Sequence, residues 1–183
     1  MKALIKKLLR EGIYYHGTTL PKDKGNIDKF INKTGIRSNA FIGYAREVNS
    51  PWTFFTDSED LARKFGSSKT EFYHDKANFK YKTVVLKYEI DENKLNILDL
   101  TTEDYEFKLE KIGINLIKIY GIGMYDIEMM WDLLDEDEYT NIIVNAGFNA
   151  VKLIENIGEN YKGVSLAILT KIVNNVIKPL TTT

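Results

Sequence analysis

Hydrophobic residues recur along the chain at helical spacing in several separate segments. Residues 2–10 carry an apolar stripe that stops at Gly12, and 57–66 carry another, with acidic residues in its first turn and Gly66 at its end. These two segments are therefore predicted to be helices. Further helices are predicted within 102–120, 126–134 and 136–146.

Shorter apolar runs, rich in β-branched and aromatic residues, predict the strands. The clearest is YKTVVLKYEI at 81–90, and a short strand at 13–16 is expected to end in a Gly-Thr-Thr loop. The other predicted strands lie at 52–56, 95–100, 149–155, 164–169 and 174–180. Because helices and strands do not alternate regularly, the predicted fold class is α+β and not a doubly wound parallel sheet.

The length and composition limit the kinds of site that the chain can build. A chain of 183 residues suits a single domain, so one domain over 1–183 is predicted. It contains no cysteine, which excludes disulfides, thiolate metal sites and a cysteine nucleophile. Two histidines and scattered acids have no metal-ligand spacing, and the apolar runs are far shorter than the roughly 20 residues that span a bilayer. We therefore expect a soluble protein without a metal or a membrane.

Charge is distributed unevenly although the net charge is only −1. Residues 1–80 carry 15 basic and 9 acidic residues, or +6, whereas 81–183 carry 10 and 17, or −7. The basic half is too dilute to indicate a nucleic-acid-binding protein. The segment from Tyr125 to Tyr139 holds seven acids and no Lys or Arg, which is typical of a solvated face with a helix beginning near Asp135.

His16 is the more informative of the two histidines. It ends a half-apolar strand and precedes Gly17, a position at which backbone can approach a ligand because no Cβ intervenes. A core histidine bonded to a backbone carbonyl is the alternative interpretation. His74 lies in a polar segment and is expected at the surface. A serine-hydrolase elbow and a Rossmann glycine fingerprint are both missing from the sequence.

His16 and Gly17 belong to the first of five segments that follow one another over nearly the whole chain. The segments read YYHGTT, FFTDSEDLARKFG, YKTVVLKYEIDENKLNILDLT, NAGFNAVKLIE and SLAILTKIVNNVIKPL. In order and spacing the series resembles the ADP-ribosyltransferase superfamily, in the His-Tyr-Glu branch that includes small bacterial and phage enzymes, toxin-like ones among them. The resemblance implies a split β-sheet around a cleft for NAD, with helices packed outside.

The resemblance also implies an activity. A mono-ADP-ribosyltransferase cleaves NAD as its substrate, releases nicotinamide and transfers ADP-ribose to a macromolecular acceptor, here a protein in preference to a nucleic acid. It implies a cytoplasmic location, or the host cytoplasm for a phage-encoded or secreted effector. The acceptor and the oligomeric state are not specified by it.

Six residues match the first two motifs of the family. His16 would hydrogen-bond the adenosine ribose, Gly17 would hold the nicotinamide carboxamide through its backbone, and Thr18 would lie near the nicotinamide ribose. The second motif falls on Phe54, Phe55 and Thr56. Phe54 stands where the family usually has a tyrosine, which keeps an aromatic face for stacking on nicotinamide and loses the hydroxyl.

The third motif departs from the family. Its glutamate, which stabilises the oxocarbenium-like transition state, falls at Val164 or Ser165. Glu155 and Glu159 are nearby in the sequence, and either could supply the carboxylate.

Two alternatives follow from this departure and from the His-Gly-Thr sequence. The chain could be a weak or inactive relative that binds NAD or another nucleotide. It could also resemble an RNA 2′-phosphotransferase, for which the basic candidates are Arg37, Arg46, Arg63 and Lys64. In the transferase interpretation the loop from Lys22 to Pro51 covers the donor site or helps to hold the acceptor, and Arg37 or Arg46 meets the pyrophosphate.

Overall fold

The structure, a computed structural model, describes residues 11–21, 51–67, 81–157 and 161–180. These residues form one seven-stranded mixed sheet with helices, so the predicted α+β class is confirmed. Several predicted features lie outside the described residues: the helix over 2–10, all of the 22–51 loop except Pro51, Arg37, Arg46, His74 and Glu159.

Strands and helices are numbered in chain order. The strands are β1 (Glu11–Pro21), β2 (Trp52–Thr56), β3 (Tyr81–Asp91), β4 (Ile97–Asp99), β5 (Ala150–Asn156), β6 (Lys162–Leu169) and β7 (Ile177–Leu180). The α-helices are α1 (59–67), α2 (Tyr105–Lys111), α3 (Leu116–Tyr120), α4 (Asp137–Asn145) and α5 (Thr170–Val173). Two 3₁₀ helices occupy Glu92–Lys94 and Ile127–Leu134. No helix in the described ranges is long and apolar enough to cross a membrane.

The sheet consists of two groups of strands joined at a narrow junction. Its strand order is β4-β5-β6-β2-β1-β3-β7, and every neighbouring pair is antiparallel except β4 and β5. Eleven residue pairs join β1 to β3 and five join β2 to β6, whereas Tyr15 and Thr56 are the one pair that joins β1 to β2 over their described lengths. The two groups therefore meet chiefly at that pair.

Strand β1 is longer than the sequence predicted. The Gly-Thr-Thr that was expected to end it continues in the sheet, and the strand runs to Pro21. The reason is tertiary: β3 is a long β-branched strand that pairs with β1 along its whole length and overrides the weak strand preference of the glycine.

Two hydrophobic cores cover the two faces of the sheet. The first face, which carries Thr56 and Ser165, packs against α2, α3, α4 and the longer 3₁₀ helix through buried residues such as Leu109, Met130 and Ile143. The second face carries Phe55 and the other buried strand residues of the second core, which pack with Val173 and Val176: Tyr14, Leu86, Tyr88, Ile90, Ala150, Leu166 and Ile168. Since each large apolar side chain contributes about 1.5–3 kcal/mol when fully buried, both cores stabilise the sheet.

The helical pattern over 102–120 is divided in the structure. Helix α2 ends before Gly113, which has a positive φ of 96°, and α3 begins at Leu116, where the Asn115 side chain accepts from the backbone N–H of Lys118. The prediction for 136–146 is confirmed by α4, which Gly147 follows with φ of 93°. The predicted strand over 174–180 is shorter, since strand structure begins at Ile177.

Candidate functional site at the strand junction

His16 lies beside the single pair that joins the two groups of strands. Its Nδ1 is 2.7 Å from the carbonyl oxygen of Phe54 on β2, and its half-buried ring lies 5.6 Å from the ring of Phe55. Because a carbonyl can only accept, Nδ1 carries a proton and donates this hydrogen bond. The imidazole thus bridges β1 and β2 next to the Tyr15–Thr56 pair.

Gly17 is buried beneath α1, and its lack of a side chain is required by that helix. A Cβ at this position would lie 1.7 Å from the carbonyl oxygen of Ala62 and 2.7 Å from its carbonyl carbon. On the facing side of the contact, a Cβ on Gly66 would lie 3.2 Å from the carbonyl oxygen of Thr18. The close approach at Gly17 is therefore made by the protein's own helix backbone, and the contact with nicotinamide stays a prediction.

The second predicted motif leads directly into α1. Phe54 is half-buried against the first core, Phe55 is 1% exposed in the second, and Thr56 is buried. Ser58 caps the helix, because its Oγ accepts from the backbone N–H of Leu61 at 3.2 Å. Both phenylalanines thus contribute to packing, and the half-exposed one is Phe54, to which stacking was assigned.

Asp57, which directly precedes the capping Ser58, holds β6. Its backbone N–H donates to the carbonyl of Val164 at 3.0 Å, and its Oδ1 accepts from the N–H of Val164 at 2.9 Å. Gly163 lies against this turn, since a Cβ there would be 2.9 Å from Oδ1 of Asp57 and 2.9 Å from Oγ1 of Thr56. Sequence reasoning missed this tie, because only the spatial pairing of β2 with β6 brings residues 107 positions apart together.

Glu155 brings a carboxyl group to Ser165, one of the two positions where an acid was expected. Glu155 is 7% exposed on β5, and its Oε2 is hydrogen-bonded to Oγ of Ser165 on β6. Burial raises the pKa of this carboxyl, and the bond from Ser165 partly opposes that shift. Ser165 pairs with Thr56 and Thr56 with Tyr15, so the carboxyl lies on a row that leads across the sheet to β1.

The pairing register separates the predicted residues into two sets. Phe54 and Glu155 lie on the first face of the sheet with Gly17, whereas His16 is one residue out of step and lies with Phe55 on the second. His16, Gly17, Thr18, Phe54, Phe55 and Thr56 thus meet at one junction, and Glu155 is two strands away from β2.

Two further observations complete the description of the site. Within the described ranges no group of three or more His, Cys, Asp or Glu side chains could hold a metal ion. Among the basic candidates, Arg63 is paired with Glu59 at 2.8 Å, and Lys64 lies 5.8 Å from the ring centre of Tyr161. No protein-family model, no curated protein and no solved structure matches the chain.

Proposed function

We propose that this protein is a mono-ADP-ribosyltransferase that uses NAD as its substrate. The observation that carries the proposal is the junction of β1 and β2, where the first two segments of the family resemblance come together with His16 bridging the strands. A sheet in two groups with a narrow connection also agrees with the split sheet that the resemblance implies.

In this proposal Glu155 supplies the missing carboxylate from the neighbouring strand. Burial raises the pKa of this carboxyl, and a positive charge within about 4–6 Å shifts the equilibrium back towards the carboxylate. The ribose of NAD develops such a charge as the bond from C1′ to the nicotinamide nitrogen breaks and the electron pair leaves with nicotinamide. The acceptor nucleophile then bonds to C1′ and loses its proton. Loss of one preorganised electrostatic partner costs about 10²–10³ in rate.

The test measures nicotinamide release and label transfer from adenine-labelled NAD in the presence of a bacterial lysate as acceptor. We expect turnover by the wild type, a loss of about 10²–10³ with Glu155→Gln, and little loss with the control Glu103→Gln, an exposed acid before α2. Glu159→Gln decides between the two candidate acids. A wild-type protein that releases no nicotinamide and transfers no label would refute the proposal.

A second candidate function is an NAD-binding module without turnover. It is favoured by the environment of Glu155, which is buried, is bonded to Ser165 and lies on the opposite face of the sheet from His16. Calorimetry with NAD separates the two candidates: saturable binding without nicotinamide release supports the module, and turnover excludes it. The RNA 2′-phosphotransferase alternative stays a prediction, and consumption of NAD with a 2′-phosphorylated oligonucleotide would test it.

A further inference from the structure

Six large apolar side chains of the described residues are exposed, and five of them lie between residues 107 and 131. Ile122 is 84% exposed, Met124 is 68% exposed and Phe107 is 67% exposed. Trp131 and Ile117 are also exposed, at 44% and 50%. Single exposed apolar residues are ordinary, but five within 25 residues of sequence are the kind of surface that marks an interaction site.

The elements that carry these side chains are neighbours in space. The Tyr125 hydroxyl donates to Oε2 of Glu106 at 3.2 Å, which places the 121–126 segment beside α2 and Phe107. The rings of Tyr120 and Tyr125 are 6.2 Å apart, so the end of α3 belongs to the same surface. Tyr120 also packs against the first core, to which Met130 and Leu133 of the longer 3₁₀ helix belong, so the helix that carries Trp131 is adjacent as well. Burial and the charge of Asp132 on that helix raise the pKa of Tyr120 to about 12.

We call this surface the acidic–apolar face and define it by Phe107, Ile117, Ile122, Met124 and Trp131. Its surroundings are predominantly acidic: residues 103–138 carry eleven acids and three lysines, and those lysines flank Phe107 and Ile117 in the sequence. Residues 119–151 contain seven acids and no Lys or Arg, a run of 33 residues. Glu128 is paired with Lys162 at 2.6 Å, and the exposed acids include Asp126, Glu136, Asp137 and Glu138.

We propose that the acidic–apolar face binds a basic amphipathic segment of a partner protein. The exposed Met, Trp and Ile side chains offer an adaptable apolar contact of the kind that receives one face of a helix. The surrounding carboxylates select the partner, because Lys and Arg beside the apolar stripe would meet opposite charge. Nucleic acid and anionic membrane surfaces are disfavoured, because their charge has the same sign as the face.

Trp131 makes this proposal directly measurable. The chain has two tryptophans, and Trp52 is 2% exposed while Trp131 is 44% exposed, so the response of the emission to a surface ligand comes from Trp131. The probe is a synthetic Leu/Lys amphipathic helix, and its control has Glu at every Lys position. We expect a saturable blue shift with the Lys peptide, weaker binding when salt is raised from about 0.01 M to about 0.15 M, and no shift with the Glu peptide.

Variants locate the binding on the face. Ile122→Ser and Met124→Ser should each weaken the binding of the Lys peptide about tenfold, since these are the two most exposed apolar side chains of the face. The double variant Glu136→Gln/Glu138→Gln should weaken it and reduce its salt dependence, whereas Asp60→Asn, an exposed acid on α1, should not. All these substitutions are at exposed positions, and a thermal melt checks that each variant is folded.

Four results would overturn the proposal. One is equal binding of the Glu peptide, and another is unchanged affinity in both Ile122→Ser and Met124→Ser. The third is self-association: if sedimentation shows a dimer and the Trp131 emission shifts over the same range of protein concentration, a second copy of the chain covers the face. Binding of anionic vesicles through Trp131 would likewise contradict the charge argument.

Discussion

Gly17→Ala tests whether Gly17 is present for packing or for ligand contact. The new methyl carbon would lie 1.7 Å from the carbonyl oxygen of Ala62, well inside contact distance. Both atoms that it meets within 2.7 Å are backbone, so relief requires α1 to move away from the sheet. Leu61 and Ala62 on α1 are fully buried, and any such movement opens a void beneath them.

Overpacking of a filled core costs about 1–3 kcal/mol, and a clash with helix backbone belongs at the upper end, about 3 kcal/mol. For a chain of this size each kcal/mol lowers Tm by about 2–4 °C, so Gly17→Ala should lower Tm by about 6–12 °C. Urea unfolding followed by circular dichroism gives the free energy of unfolding directly.

Gly66→Ala is the matched control on the same helix contact. Its Cβ would lie 2.7 Å from Cγ2 of Thr83 and no closer than 3.2 Å to backbone, a much milder clash than at Gly17, and replacing Gly by Ala in a helix gains about 1 kcal/mol in return. We therefore expect a change in unfolding free energy well below that of Gly17→Ala. If Gly17→Ala costs less than about 1 kcal/mol yet abolishes NAD binding, the packing explanation is refuted and Gly17 acts as the ligand clamp.

Three further substitutions test buried polar groups on and beside the sheet. The Tyr88 hydroxyl has no hydrogen-bond partner among the described residues, so Tyr88→Phe should leave the free energy of unfolding unchanged or raise it by about 1 kcal/mol; a loss in urea unfolding would contradict this. Glu92 accepts from the Tyr14 hydroxyl at 2.6 Å and from Lys152 Nζ at 2.9 Å. Glu92→Gln should therefore cost about 2–3 kcal/mol in the same assay, and a cost below about 0.5 kcal/mol would show that this contact does not stabilise the fold. Because its pKa is raised on folding, Glu155 holds more protons folded than unfolded above the ordinary carboxyl pKa of 4.5, so its contribution to stability falls as the pH rises. Glu155→Gln should remove this fall. If the free energy of unfolding of the variant and of the wild type changes with pH in the same way from acid to neutral pH, this prediction is refuted.

The sequence predicted correctly those helices and strands whose ends are set by local residues, such as a capping serine or a glycine. Strand β2, the helix that follows Ser58, and α4 before Gly147 were found where the pattern placed them. The full length of β1 depends on β3, and the division of 102–120 depends on Gly113 and Asn115, so periodicity alone could not give either.

At the candidate site, too, the sequence identifies the residues, but their contacts depend on the tertiary structure. That His16 ends up next to a backbone carbonyl agrees with the alternative interpretation of the sequence, but the carbonyl belongs to Phe54, 38 residues away. The bond between Glu155 and Ser165 depends on how β5 is aligned with β6. A sequence identifies residue types at such positions, and only the pairing of strands shows which of them meet.

That alignment decides whether Glu155 can take part in a site at all. In the observed register Glu155 faces Gly163 and Leu153 faces Ser165, so the carboxyl leans diagonally onto the serine across a position without a side chain. A slip of one residue would turn Glu155 to the opposite face. Gly163 is fixed in turn by the β2–α1 turn, because any Cβ there would meet Asp57 and Thr56 at 2.9 Å. The same glycine that allows β6 to approach this turn thus leaves room for the carboxyl at Ser165, which links the packing of β2 to the placement of the acid.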